Sequence, residues 1–262
     1  MSCLGTGRKV FSPVNQAHDQ YFCVRRTRLS LEETAWETSR RCVFFSVIDC
    51  QWQEIDIVSD VVCPWCIVGF RQLDQALATT GVLARLRWHP FELNPQMGPE
   101  GQNLREHIME KYGSTPEQSA EARARLTAIG AELGFTFNFS DDSRIVNTFA
   151  AHQLLDWAEG QGRQHPLKLA LFASYFTQGR DVSNYDVLLD AVEAAGLDRE
   201  AAQTALTSGA HQAPVREKQR FWAQHGISGV PSMVFGGKYL LTGAQGAETY
   251  AQVIQRCLAE AA

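Results

Sequence analysis

Three patterns are missing from this chain, and each absence closes off a class of function. No window approaches the run of about 18 apolar residues that a membrane-spanning helix needs, so no membrane span is expected. No stripe of Lys and Arg breaks a sequence whose net charge is −5, which argues against nucleic acid as a partner. The first residues show no basic start followed by roughly 7–15 apolar residues, the mark of a secretory signal. The apolar run Val43-Phe44-Phe45-Ser46-Val47-Ile48 is short and late. The expected location is therefore the cytoplasm. Paired cysteines are scarce as well. Cys3, Cys23, Cys42, Cys50 and Cys257 are scattered, and no second C-x-x-C exists. A structural zinc site needs four ligands, so no metal is expected.

What is present is Cys63-Pro64-Trp65-Cys66. It follows the apolar run Ile55-Asp56-Ile57-Val58 and precedes a stretch of helical periodicity. A strand before and a helix after such a pair favour redox chemistry over metal binding or two inert buried thiols. The first turn of a helix has free N–H groups and partial positive charge, which stabilise a thiolate. Each unit of pKa depression favours the anion by about 1.4 kcal/mol. Cys63 falls at the cap or first position, and Pro64 suits the first turn, where no N–H is needed. Cys66 lies three residues on, on the same face, and opens an apolar stripe with Phe70, Leu73 and Leu77. The pattern assigns Cys63 as attacking thiolate and Cys66 as the more buried resolving thiol.

The 262 residues suffice for one large domain or two small ones. Residues 1–52 lack periodicity and are expected to form a loosely attached or disordered arm, a non-native extension from an upstream start, or an ordered arm packed on the rest. Strands are expected over 54–59 and 83–93, with a helix over 63–79 between them. After the Pro/Gly-rich passage 94–101, helices are expected over 102–112, 116–133, 144–160, 165–177, 184–195, 198–207 and 211–225. Then come a strand over 229–235, a turn at Gly236-Gly237, a strand over 238–241 and a final amphipathic helix. This helix carries Cys257 on its apolar stripe as an inert core residue. The order is β-α-β, a helical block, then β-β-α. It is an α/β arrangement, that of a thioredoxin fold whose halves, 53–97 and 226–262, are separated by an all-helical insertion domain, 98–225.

The chain resembles the DsbA-like thioredoxin superfamily, and within it the cytoplasmic FrnE-like oxidoreductases. The resembling residues are Ser59-Asp60-Val61-Val62-Cys63-Pro64-Trp65-Cys66, Gly69, Gly229-Val230-Pro231 and Gly243-Ala244-Gln245, with Arg144-Ile145-Val146-Asn147-Thr148 and Ala151-His152 in the helical region. The resemblance covers about residues 54–260. It implies a cis peptide before Pro231, a loop facing the cysteines, and Val230 pairing with an extended substrate as an added strand. The plainer reading of Pro231 is an ordinary strand-entry proline. Related kappa-class glutathione transferases and 2-hydroxychromene-2-carboxylate isomerases typically carry serine at the position of Cys63. The cysteine found here, with Cys66 beside it, favours disulfide exchange.

The resemblance implies no resident cofactor, with glutathione as a candidate redox partner and Asn147 and Gln245 as candidate lining. Pro64, Trp65 and Val230 would meet the substrate. Asp60 would cap the helix, tune Cys66 or make a plain turn; His89 and Glu92 read as structural or surface residues, His152 as a packed histidine with a catalytic base as the alternative, and Trp88, Trp157 and Trp222 as core. The expected activity is thiol–disulfide oxidoreduction on protein or small-molecule thiols. A glutathione-dependent transferase or isomerase and a non-enzymatic binding module are the alternatives. Oligomeric state is not readable.

Overall fold

The computed structural model describes residues 52–261. The expected arm therefore lies, but for its last residue, outside the described residues. In chain order the elements are β1 (Trp52–Ser59), α1 (Pro64–Thr80), β2 (Leu83–Pro90), β3 (Gln102–Asn103), α2 (Leu104–Tyr112), α3 (Pro116–Glu132), β4 (Arg144–Ile145), α4 (Phe149–Gly160) and α5 (Gln164–Phe172). A π-helical turn, Ala173–Thr177, continues α5. Then follow α6 (Tyr185–Ala194), α7 (Arg199–Ser208), α8 (Gln212–Gln224), β5 (Ser232–Phe235), β6 (Tyr239–Thr242) and α9 (Ala247–Ala261).

Four strands form one sheet in the order β2-β1-β5-β6. β1 and β2 run parallel, while β5 is antiparallel to both β1 and β6. The period of two along a strand sorts the side chains. Ile55, Ile57, Met233 and Phe235 pack with α1 and α9 through Phe70, Leu73, Tyr250 and Ile254. Val58 and Val234 face the other way, onto Trp222 of α8 and Ile227. Both faces are covered, as a sheet with parallel strands requires. Helices α2–α8 fall between the two halves of the sheet in sequence. The result is a thioredoxin-type α/β fold with a helical insertion.

The helical block has its own core, built from Leu154, Leu167, Leu188, Val192 and neighbours, and Val61 and Val62 belong to it. Cys63 and Cys66 belong to the core under the sheet. The turn before α1 thus straddles two cores. Fully burying each valine contributes roughly 1.5–3 kcal/mol, so apolar packing on both sides holds this turn.

Two expectations are corrected. A helix was expected from residue 144; instead Arg144–Ile145 pairs antiparallel with Gln102–Asn103, and α4 begins at Phe149. Two bonds hold this arrangement: locally, Asn147 Oδ1 accepts the Phe149 N–H at 2.9 Å, and across 44 residues Arg144 donates to the Glu100 carbonyl at 2.5 Å. The strand expected over 83–93 stops at Pro90, where the ring removes a ladder donor. Side-chain caps start α2, α3, α6 and α7. Thr115 and Gln118 form a capping box ahead of Pro116, and Gly81 closes α1 at φ 68°.

Candidate functional site

The chain leaves β1 at Ser59 and turns through Asp60 before entering α1. The Cys63 N–H bonds the Asp60 carbonyl at 3.3 Å, and the Cys66 N–H bonds the Cys63 carbonyl at 3.1 Å. Cys63 is the N-cap of α1, in extended conformation, with Pro64 in the first turn. Cys63 and Cys66 are free thiols, 4% and 0% exposed, whereas Trp65 between them is 39% exposed. The motif therefore shows solvent an indole and buries its sulfurs.

The Val230–Pro231 peptide bond is cis. The Cys63 thiol donates to the Val230 carbonyl at 3.8 Å, 167 residues away in sequence. The Pro231 carbonyl accepts the Gly243 N–H at 2.7 Å. Gly69 makes this approach possible. A Cβ there would stand 3.2 Å from Pro231 Cγ and 3.3 Å from Met233 Cε. The next loop is tied down as well: the Gly246 N–H donates to Gln72 of α1, and Tyr250 of α9 donates to the Gly243 carbonyl.

The two thiols share a hydrogen bond, and their ionisations separate. At Cys63 that bond and then burial push the pKa well above the usual thiol value. At Cys66 burial opposes the anion, but hydrogen bonds from Cys63 and Ser59 and the positive Lys168 outweigh it. The Cys66 pKa falls below the usual value. The pair thus yields one proton readily and holds the other. The sequence placed the easier ionisation at Cys63 on the strength of the helix terminus. The structure puts the lower pKa at Cys66, because hydrogen bonds from Cys63 and then Ser59 favour its anion and Lys168 adds positive charge.

Asp60 is 1% exposed. Its Oδ2 accepts the Leu93 N–H at 2.8 Å, and its Oδ1 lies 3.4 Å from His152 Nε2. Oδ1 has no hydrogen bond, since His152 Nε2 contacts the Phe91 carbonyl at 3.0 Å. Burial raises the Asp60 pKa, but His152, the Leu93 N–H and Lys168 together hold it below the usual carboxylate value. Asp60 is a charged anchor of the turn.

Other candidates have local partners. Asn147 is half-buried, with Nδ2 on the Met97 carbonyl. Gln245 is exposed and donates to the Thr242 carbonyl. His89 lies 2.7 Å from Asp56 Oδ1, and Glu92 pairs with Arg216. Trp88 and Trp222 are buried, Trp157 is half-buried, and Cys257 is buried on α9. Among the described residues, no group of three or more His, Cys, Asp or Glu side chains could hold a metal ion, and no helix is long and apolar enough to cross a membrane. Sequence reading passed over Lys168 and Gln164. Both sit on an apolar helix whose contacts with β2 only folding creates.

The description of a DSBA-like thioredoxin domain matches residues 54–255. The chain belongs to the DSBA-like thioredoxin family. A Streptomyces coelicolor protein described as a probable DsbA oxidoreductase shares 31% identity, over 79% of this chain and 91% of its own, with a TM-score of 0.75. A 2-hydroxychromene-2-carboxylate isomerase superposes at TM-score 0.58 and 16% identity, over 79% and 97% of the two chains. The cytosolic disulfide reductase DsbM of Pseudomonas aeruginosa, solved also with GSH, superposes at 0.54 and 16% identity, over 78% and 98%. The last two likenesses show the DSBA-like fold alone.

Proposed function

We propose that this protein is a thiol–disulfide oxidoreductase in which Cys63 attacks and Cys66 resolves. The observation that carries the reading is the meeting of a free Cys63–Cys66 pair with the Val230–Pro231 loop at the mouth of one helix. Cys63 is the sulfur turned toward that loop. Although the resting charge favours Cys66, Cys63 gives its proton to this coupled neighbour as a substrate disulfide arrives. Cys63 then forms a mixed disulfide, and Cys66 displaces the substrate thiolate by closing the Cys63–Cys66 bond. Val230 backbone would pair with an extended substrate segment, and Pro64 and the exposed Trp65 would form its apolar floor. The reverse sequence oxidises a dithiol.

Glutathione is the proposed redox partner and the cytoplasm the proposed location. Support comes from the DsbM likeness, a cytosolic reductase solved with GSH, and from the FrnE-like pattern of the motif. Asn147 and Gln245 are proposed as outer lining, through faces left free by their local bonds.

The test is trapping. Cys66→Ser should accumulate a covalent adduct with a disulfide substrate, read by intact mass, while Cys63→Ser should form none and lose at least about a hundredfold in turnover. Wild-type turnover by Cys63→Ser would overturn the assignment. Activity with glutathione and an electrophile that survives removal of Cys66 would favour transferase chemistry instead.

A further inference from the structure

The loop after β2 braces the active turn. The Leu93 N–H donates to Asp60 Oδ2 at 2.8 Å, and the Asp60 carbonyl in turn accepts the Cys63 N–H at 3.3 Å. Helix α2 grips this loop from the other side. Lys111 Nζ donates to the Leu93 carbonyl at 2.8 Å and to Asn94 Oδ1 at 2.6 Å. His107 stands one turn before Lys111 on the same face of α2. Its Nε2 lies 3.0 Å from Asn94 Oδ1, and its Nδ1 lies 2.8 Å from Oε1 of Gln102 on β3. The Gln102 amide nitrogen donates to Glu110 Oε2 at 2.7 Å.

Both ring nitrogens of His107 therefore meet amide oxygens. A neutral imidazole has one N–H and one lone pair, and only the imidazolium donates from both. Turning an amide over does not relieve this. Gln102 would then aim its oxygen at the Glu110 carboxylate, and Asn94 would aim its NH2 at the Lys111 ammonium. The arrangement thus calls for one proton more than a neutral ring supplies. That proton is loosely held, because burial and then Lys111 lower the His107 pKa against the pull of Glu110. Of the elements packed on α2, α3 commits Arg123 to Asp141, and β4 commits Arg144 to the Glu100 carbonyl. When the proton leaves, one N–H remains for two oxygens. Asn94 Oδ1 keeps Lys111 as a donor, whereas among the described residues Gln102 Oε1 has His107 alone. The neutral ring is therefore best placed to donate from Nδ1, which turns the Nε2 lone pair toward Asn94.

We propose that His107 is a proton-operated clasp on the loop that braces the active turn: as an imidazolium it ties Asn94 to β3, and as a neutral ring it lets Asn94 go. The clasp stands apart from the oxidoreductase reading and does not rest on it. Asn94 adjoins Leu93, so opening at Asn94 loosens the N–H that holds Asp60. The turn carrying Cys63 is then braced more firmly in acid than at neutral pH.

The experiment uses the full-length chain and NMR across a pH series. Long-range nitrogen–proton spectra of the His107 ring should show both nitrogens protonated in acid and the proton on Nδ1 above the inflection. A neutral ring that carries its proton on Nε2 overturns the proposal. Amide exchange at Leu93, corrected for the intrinsic effect of pH, should quicken by about two- to tenfold as pH rises through the same inflection, the worth of one hydrogen bond. No residue of α2 is buried, so His107→Leu should keep the fold. In that variant the Leu93 step should vanish. No step in the parent, or a step of the same size in His107→Leu, overturns the proposal. Disulfide exchange enters none of these readouts, so the failure of one reading leaves the other standing.

Discussion

At the scale of single residues, charge on the sheet is compensated side chain by side chain. Asp56 projects from the middle of β1, accepts Arg87 Nε at 2.8 Å and meets His89 Nε2 at 2.7 Å. Burial disfavours its charge, but His89 and Arg87 outweigh burial and hold the carboxyl below its ordinary value. A carboxyl with a depressed folded-state pKa contributes stability above its unfolded value and loses it as pH falls through the folded one. The contribution is therefore present at neutrality and fades below about pH 4. Asp56→Asn should lower stability at pH 7 by about 1–3 kcal/mol, or roughly 5 °C in melting temperature. Its acid limb should be shallower than that of the parent. Melting curves between neutral and strongly acidic pH check this, and superimposed acid limbs would show that Asp56 carries no such linkage.

At the scale of elements, two close approaches position the site. Gly69 lets α1 touch the cis-proline strand. Gly69→Val would drive atoms into Pro231, Met233 and the Tyr250 hydroxyl. Overpacking of this kind costs about 1–3 kcal/mol and should lower the rate of Cys63 attack as well as the melting point. The second approach is the docking of α5 on β2. Gln164 accepts the Trp88 N–H and donates to the Trp88 carbonyl, both at 2.9 Å, across 76 residues of sequence. One side-chain amide thus satisfies both backbone groups of a residue on the outer strand, as a fifth strand would. Gln164→Leu leaves both groups buried without partners, at about 1–3 kcal/mol each. A melting point within 2 °C of the parent would show that water replaces the amide, since even one such loss is worth about 2–4 °C.

The elements themselves were legible, because helix period, capping residues and glycine stops are local signals. Thr115-Pro116 and Gly81 act as read. The motif was legible because Cys63, Pro64 and Cys66 lie within one turn. What escaped is what only contact reveals. Lys168 looks like one polar residue on an apolar helix until α5 is laid against β2, where its ammonium meets the Trp88 ring. Gln164 looks like a surface residue at a helix start until β2 is beside it. The short β3–β4 ladder was missed for the same reason, since two-residue strands carry no period.

At the scale of the whole molecule, the active turn belongs to two cores at once. Val61 and Val62 pack into the helical block while Cys63 and Cys66 pack beneath the sheet. The π-helical turn after α5 takes part in this joint: Leu167 and Leu171 serve the first core, and Phe172 and Phe176 serve the second. π turns interrupt the side-chain register of a helix and recur at functional sites. A mutation that loosens the helical block, such as Leu188→Ala, should cost about 2–5 kcal/mol and also disturb the thiol pair. The check is the rate of thiol labelling at Cys63 below the unfolding transition. Labelling unchanged from the parent would mean that the two cores do not communicate.

The Gln164 amide also bears on how this architecture can change over time. A lineage that shed the helical block would uncover the backbone of Trp88 and leave a raw edge open to sticking against other chains. Trimming residues 98–225 to a bare sheet-and-helix minimum should accordingly yield aggregates on size exclusion rather than a small working enzyme. The inserted block thereby finishes the border of the sheet that carries it.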